Sequence, residues 1–141
     1  MSELIGEYRH KLDAKGRLSL PADFRKVLKQ DLMVTPDPKD QCLYVFETEA
    51  FTAWVDSLFE SKGGWSPSNS VMVAQRKVLN SRAKKCDIDN SGRIHLSQVL
   101  REQVGLDKAV AIIGDTDHFE IWDAQRWDDF CAEVDVASLV S

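Results

Sequence analysis

Two arginines are the residues of this chain best placed to do chemistry, each with an acid four positions before it. Arg17 follows Asp13 in Leu12-Asp13-Ala14-Lys15-Gly16-Arg17-Leu18-Ser19-Leu20, and Arg93 follows Asp89 in Ile88-Asp89-Asn90-Ser91-Gly92-Arg93-Ile94-His95-Leu96. Both stretches read Asp-x-x-Gly-Arg, then apolar, polar, apolar. The aspartate can hydrogen-bond its own backbone two residues on, and Gly16 or Gly92 can take a positive φ at no steric cost. Each copy therefore predicts a tight turn between short strands. A guanidinium tethered by its own turn has lost conformational freedom, and its planar donors suit phosphates and guanine edges alike. Lys11, Lys15 and Arg9 flank the first arginine, and Lys84 and Lys85 the second, as expected phosphate contacts.

The turns must be positioned by a repeated scaffold. Since 89 − 13 = 76, the chain can be slid along itself by that offset, and the match runs well past the motif without a gap. Identical pairs include Asp13/Asp89, Gly16/Gly92, Arg17/Arg93, Leu20/Leu96, Arg25/Arg101, Asp31/Asp107 and Val34/Val110, and apolar positions coincide from Phe24/Leu100 to Leu58/Val134. Such self-similarity is the mark of a duplicated supersecondary unit.

In each unit a strand leads into the turn (Gly6–Leu12, then Ala83–Ile88) and a short strand leaves it (Arg17–Leu20, then Arg93–Leu96). Pro21 suits the first turn of a helix striped by Phe24, Val27 and Leu28, and Ser97 caps its counterpart, which Gly105 ends. Extended segments follow at Leu32 to Val34 and Cys42 to Phe46, then at Val110 to Ile113 and Phe119 to Trp122 around a turn at 114–117. The clearest helix carries Phe51, Trp54, Val55, Leu58 and Phe59 and stops at Gly63-Gly64. A second helix, with Val71, Ala74, Val78 and Leu79 as its stripe, joins the units, and a last helix is striped by Trp127, Phe130, Cys131 and Val134. The expected organisation is a first unit at 6–58, a helical connector at 59–81, a second unit at 82–134 and a tail at 135–141. One unit of roughly 50 residues buries too little apolar surface to stand alone. The expected fold is α+β, with strands of each unit completing the sheet of the other in a pseudo-twofold β-barrel with flanking helices.

The chain has 43% hydrophobic and 29% charged residues, as in a soluble globular protein. Its net charge of −5 is unevenly spread. Residues 1–30 and 70–101 together hold 14 basic and 6 acidic groups, so these windows carry +8 and the remainder −13. The basic windows are those that carry the motif, and a local positive field can steer a polyanion despite an acidic total. No apolar run reaches the length of a membrane span, and the first residues lack the zones of a signal peptide, which predicts retention in the cytoplasm. Cys42, Cys86 and Cys131 read as separate reduced thiols. No His/Cys cluster has metal-ligand spacing, so neither a metal nor another cofactor is expected.

The doubled Asp-x-x-x-Arg motif, the opening GEYRHKLDAKGRLSLPADFR and the helical connector resemble the MraZ family of bacterial transcriptional regulators, which have two tandem SpoVT-AbrB domains. The resemblance runs from about Gly6 to Val134. It implies swapped-hairpin AbrB barrels formed within one chain and assembly of subunits into a closed ring. It also implies binding of G-rich direct repeats of double-stranded DNA in the promoter of the division and cell-wall gene cluster, usually as a repressor. Such a protein would be cytoplasmic and nucleoid-associated. The matching residues are Asp13, Gly16 and Arg17 in the first motif and Asp89, Gly92 and Arg93 in the second. Lys11, Lys15 and Arg9 match only as neighbouring basic positions. Ile5 and Ser97 depart from the family pattern, where a basic residue and a proline are common.

The first copy has Ala14-Lys15 in its turn and the second Asn90-Ser91, which assigns DNA reading mainly to the first. A rival reading is an AbrB-like protein-interaction module, antitoxin-like or a scaffold, using the acidic, aromatic region near Trp122, Trp127 and Asp128. An enzyme is not expected, because no nucleophile elbow, phosphate-cradling loop or catalytic triad is present. Asp13 and Asp89 each have an arginine that favours the ionised acid, which disqualifies them as general acids.

Overall fold

The structure, a computed structural model, describes residues 3–141. Its strands are β1 (Leu4–Lys11), β2 (Arg17–Ser19), β3 (Asp31–Pro36), β4 (Leu43–Glu47), β5 (Lys84–Asp87), β6 (Arg93–His95), β7 (Ala109–Thr116) and β8 (His118–Asp123). The helices are α1 (Ala22–Val27), α2 (Thr48–Glu60), α3 (Ser70–Arg82), α4 (Gln98–Gln103) and α5 (Ala124–Glu133), with a short 3-10 turn at Ala137–Val140.

The two repeats are interleaved. Six strands form one antiparallel sheet in the order β1-β7-β8-β4-β3-β5, and β2 pairs with β6 as a separate ribbon. β1 of the first repeat is hydrogen-bonded to β7 of the second, while β5 of the second is bonded to β3 of the first. At the centre β4 meets β8. The ladder ends at β1 and β5, so hydrogen bonding does not carry it round into a closed barrel. β5 is only four residues long and exposes Lys84 and Lys85, a charged edge that resists further pairing.

The ribbon, α1 and α4 cover one face of the sheet. Leu18, Leu20 and Phe24 meet their repeat counterparts Ile94, Leu96 and Leu100 there, over Val34, Ile112, Phe119 and Ile121. Burying a side chain of this size stabilises by about 1.5–3 kcal/mol, which is the main reason the ribbon stays seated. On the opposite face α2 lays Phe51, Val55 and Phe59 over Phe46, with Met72 of α3 behind them. α5 packs Trp127 over Trp122, Cys42 and Ala111.

Several local outcomes differ from the sequence expectation. Pro21 is the N-cap of α1 and lies just outside its first turn, with φ −55 and ψ 141. Val27 is 45% exposed, leaving Phe24 as the buried residue of that helix. α3 turns its expected stripe only partly inward: Leu79 packs with the α2 cluster, but Val71 and Val78 are exposed and Met72 is buried instead. Arg76, one turn after Met72, has its guanidinium carbon 3.4 Å from the centroid of the Trp65 ring, so a cation shares the inward side with Met72 and Leu79. The β7–β8 connection is tighter than four residues, with Asp117 alone between the strands. Asn69 and Ser97 cap α3 and α4 by accepting from the Met72 and Leu100 N–H groups.

Candidate nucleic-acid interface

The first turn is built by one carboxylate. Asp13 Oδ1 accepts from the backbone N–H groups of Lys15 at 2.9 Å and Arg17 at 2.8 Å, and Oδ2 accepts from Arg17 Nε at 2.6 Å. The Arg17 backbone N–H, the Arg17 side chain and the Lys15 backbone N–H together hold the Asp13 carboxyl down at about 2. Asp89 repeats the plan, accepting from the Ser91 N–H at 2.8 Å and the Arg93 N–H at 3.0 Å. Its carboxyl is also lowered, first by the Arg93 backbone N–H. The side-chain contact is looser in this copy, since Arg93 Nε lies 3.4 Å from Asp89 Oδ2 and makes no hydrogen bond.

Each turn leans on the other repeat. Gly16 has φ +81 and its carbonyl accepts from the Leu96 N–H, while Gly92 has φ +77 and its carbonyl accepts from the Leu20 N–H. A Cβ on Gly16 would lie 2.5 Å from the Leu96 carbonyl oxygen and 2.9 Å from Arg101 Nε. One on Gly92 would lie 2.6 Å from Arg25 Cδ. Arg25 and Arg101, identical across the repeat, thus pack crosswise against the opposite turn, and Arg101 Nε also donates to the Leu96 carbonyl. The sequence marks these two only as a basic pair. Their identity at the repeat offset was the available signal for a shared structural task.

The ribbon register sets what faces outward. Arg17 lies opposite His95, Leu18 opposite Ile94, and Ser19 opposite Arg93. Opposed residues of an antiparallel pair share a face, so Leu18 and Ile94 point to the core while Arg17, Ser19, Arg93 and His95 line the other side. The two arginines occupy diagonal corners, with Cα atoms roughly 8 Å apart from standard strand spacings. Both are partly exposed, at 36% for the Arg17 and 32% for the Arg93 side chain. Arg17 is tethered through Nε, and its two Nη groups have no hydrogen-bond partner among the described residues. His95, exposed on the same face, was not expected from the sequence because its counterpart is Ser19.

Lys15 is exposed at the tip of the first turn and Lys11 at the end of β1. Arg9 is engaged elsewhere: Nε bonds Glu7 at 2.8 Å, and Nη2 bonds Asp128 of α5 at 2.7 Å. These acids, Asp128 foremost, raise its already high pKa further. The same contacts tie down Asp128, while Trp127 Nε1 donates to Glu7 at 2.7 Å.

A doubled turn presenting two tethered arginines from a shared ribbon invites comparison with known families. A family model described as "MraZ protein, putative antitoxin-like" matches residues 4–62 and again 79–140. The chain belongs to the MraZ family. Among curated MraZ proteins, that of Corynebacterium urealyticum is 39% identical over 138 residues, covering 95% of this chain and 92% of the relative. The MraZ of Nocardioides sp. is 38% identical, covering 91% and 85%, and that of Symbiobacterium thermophilum 37%, covering 92% and 90%. All three are named transcriptional regulators and none is named as an enzyme. The two segments matched by the family model each take in one turn, consistent with the near-whole-chain resemblance carried by the doubled motif.

Proposed function

We propose that this protein is a DNA-binding transcriptional regulator that reads its operator with the outward face of the β2–β6 ribbon. The observation that carries the reading is the pair Arg17 and Arg93 on that face, with the Nη edge of Arg17 left unpartnered. A two-stranded ribbon fits the major groove, about 12 Å wide, and a guanidinium presented edge-on pairs with the O6 and N7 of guanine. G-rich sites are the corresponding target. The first repeat leads, because its arginine is held by the 2.6 Å contact and its turn carries Lys15 where the second has Ser91. Lys11 and Lys15 supply phosphate contacts, and Arg9 contributes only by releasing Asp128. The strand exchange between repeats supports a swapped-hairpin barrel as the frame holding both turns.

Several copies of the chain act together in this reading, as a closed ring on direct repeats. Exposed Val71 and Val78 on α3, with Leu139 and Val140 near the C-terminus, leave apolar surface for neighbours. Linked heads raise the effective concentration for each further repeat, which makes a repeated operator the natural partner. The regulated site is the promoter of the division and cell-wall gene cluster, with repression as the outcome and the nucleoid as the place of action. No helix among the described residues is long and apolar enough to cross a membrane.

The deciding experiment is a gel shift on a G-rich direct-repeat duplex. Arg17→Ala weakens binding by about 1–3 kcal/mol per head while fold and oligomer size are retained. Wild-type affinity in both Arg17→Ala and Arg93→Ala would overturn the reading. Copurification of a stoichiometric protein partner without DNA affinity would favour an antitoxin-like interaction module instead.

A further inference from the structure

On the sheet face turned away from the ribbon, the start of β8 holds a buried polar cluster that the DNA reading does not use. His118 and Glu120 alternate with the core residues Phe119 and Ile121, so they point to the α2 and α5 side. His118 is 8% exposed and Glu120 7%. Asp115, from the end of β7, reaches over them from the solvent side. We infer that Asp115 Oδ2, His118 Nε2 and Glu120 Oε2 form a binding site for a divalent first-row transition metal ion, zinc being the best fit.

Three observations support this assignment. First, one ligand atom from each residue lies within 4.8 Å of the other two. His118 Nε2 is 2.8 Å from Glu120 Oε2 and 3.8 Å from Asp115 Oδ2. Tetrahedral zinc with bonds of about 2.0–2.2 Å needs its ligand atoms about 3.3–3.6 Å apart. Opening the first separation by about 0.5–0.8 Å and closing the second by about 0.2–0.5 Å brings those two edges to that spacing, and the third edge lies within 4.8 Å.

Second, the imidazole faces carboxylates at both nitrogens. Nδ1 lies 2.8 Å from Asp117 Oδ1, and Nε2 lies 2.8 Å from Glu120 Oε2. A neutral imidazole has one N–H. With Nδ1–H donating to Asp117, the ring can stay neutral only if something other than its own second proton holds Nε2 to Glu120 Oε2, and a metal ion between the two does that. Among the described residues, no lysine or arginine forms an ion pair with Asp115, Asp117 or Glu120. Without a metal ion the positive charge is supplied by a second proton on the ring, with which the ion competes.

Third, the outer contacts are those that orient metal ligands. Asp117 on Nδ1 fixes the tautomer that turns Nε2 inward, as in carboxylate–histidine–metal relays. Trp122 Nε1 donates to Glu120 Oε1 at 2.9 Å, which leaves Oε2 for the ion. The His118 ring packs against both Phe46 and Tyr44, with centroids at 4.9 and 4.7 Å. One nitrogen and two carboxylate oxygens suit zinc or manganese better than calcium or magnesium, which prefer oxygen donors alone. Asp115, with its side chain 62% exposed, leaves the remaining coordination position open to water.

The test is zinc titration of the metal-free full-length protein by calorimetry, with Co2+ absorption as a report of ligation. One zinc per chain is expected, together with a Co2+ visible band. Asp115→Asn, an exposed change that leaves the core untouched, weakens binding at least tenfold and abolishes the zinc-dependent rise in Tm. Asp117→Asn weakens it by about 10–100-fold through the orienting contact. His10→Gln and His95→Gln leave it unchanged. Zinc binding by folded Asp115→Asn and Glu120→Gln equal to that of the wild type would overturn the assignment. So would a wild type that binds none, in which case His118 is simply an imidazolium between its acids.

Discussion

Leu18 lies directly opposite Ile94 in the β2–β6 ribbon, and the two are the same position of the two repeats, since 94 − 18 = 76. Tyr44 opposite Glu120 in the β4–β8 pair has the same separation, 120 − 44 = 76. The pseudo-twofold axis therefore passes through both pairs. It enters at the ribbon and leaves through the middle of the sheet, next to the His118 cluster.

Because Leu18 and Ile94 are both fully buried on that axis, Leu18→Ala should cost about 2–5 kcal/mol, and Ile94→Ala a similar amount. The double variant should depart from the sum, as residues in contact do. Urea unfolding of the three variants measures both effects.

Gly16→Ala and Gly92→Ala should each destabilise by more than about 1 kcal/mol, because positive φ and a blocked Cβ position act together. Gly63→Ala is the control: φ is +88 there, but a Cβ would meet nothing within 4 Å. A smaller loss of Tm in Gly63→Ala isolates the packing of Arg101 and Arg25 against the turns.

Lys15→Ala should lower DNA affinity almost equally on all sequences and reduce the slope of log affinity against log salt by about 1. Arg17→Lys should keep most of that slope yet lose the preference for G-rich DNA, because an ammonium cannot pair bidentately. A salt series on specific and random duplexes separates the two.

The Asp13 carboxyl, held at about 2 in the fold against an ordinary value near 3.9, links the turn to pH. A depressed folded pKa contributes stability that is fully present above the unfolded value and is lost as pH falls through the folded one. The first turn should thus stay intact at pH 4 and loosen towards pH 2. The carboxyl carbon shift of Asp13 in an NMR titration reports this directly, and Asp13→Asn should remove that part of the acid dependence.

Thiol reactivity should distinguish the three cysteines. Cys131 is exposed, whereas Cys42 and Cys86 are buried. Burial pushes the Cys86 thiol up to about 12 and raises that of Cys42 as well. One thiol per native chain should react rapidly with a disulfide reagent, and all three after denaturation.

The repeat, the turns and most elements were readable from residue order because they rest on local chemistry. Asp-x-x-Gly sets a turn wherever it stands, and Phe51, Val55 and Phe59 mark a helix by spacing alone. Which strand pairs with which was only partly readable. The repeat implied an exchange of strands, but the end of the ladder at β1 and β5 depends on strand lengths that only packing decides. The face of α3 was read only in part: Leu79 packs inward as expected, while Arg76, a polar residue lying flat against Trp65, carries no apolar signal. The Asp115, His118 and Glu120 grouping was missed for a related reason. His118 and Glu120 share a strand face by alternation, but Asp115 joins them only through a turn tighter than the sequence implied.

The exchange of strands between repeats also dictates a timetable during synthesis. Leu4 pairs with Thr116, a partner made 112 residues later, since 116 − 4 = 112. At about 5–20 residues per second, β1 is made roughly 6–22 s before its partner strand exists. For most of that interval the first motif has no opposite turn to lean on, and throughout it the edge of β1 is open to other chains. The finished protein shares one sheet between its repeats, but the growing chain must be shielded until its second half arrives.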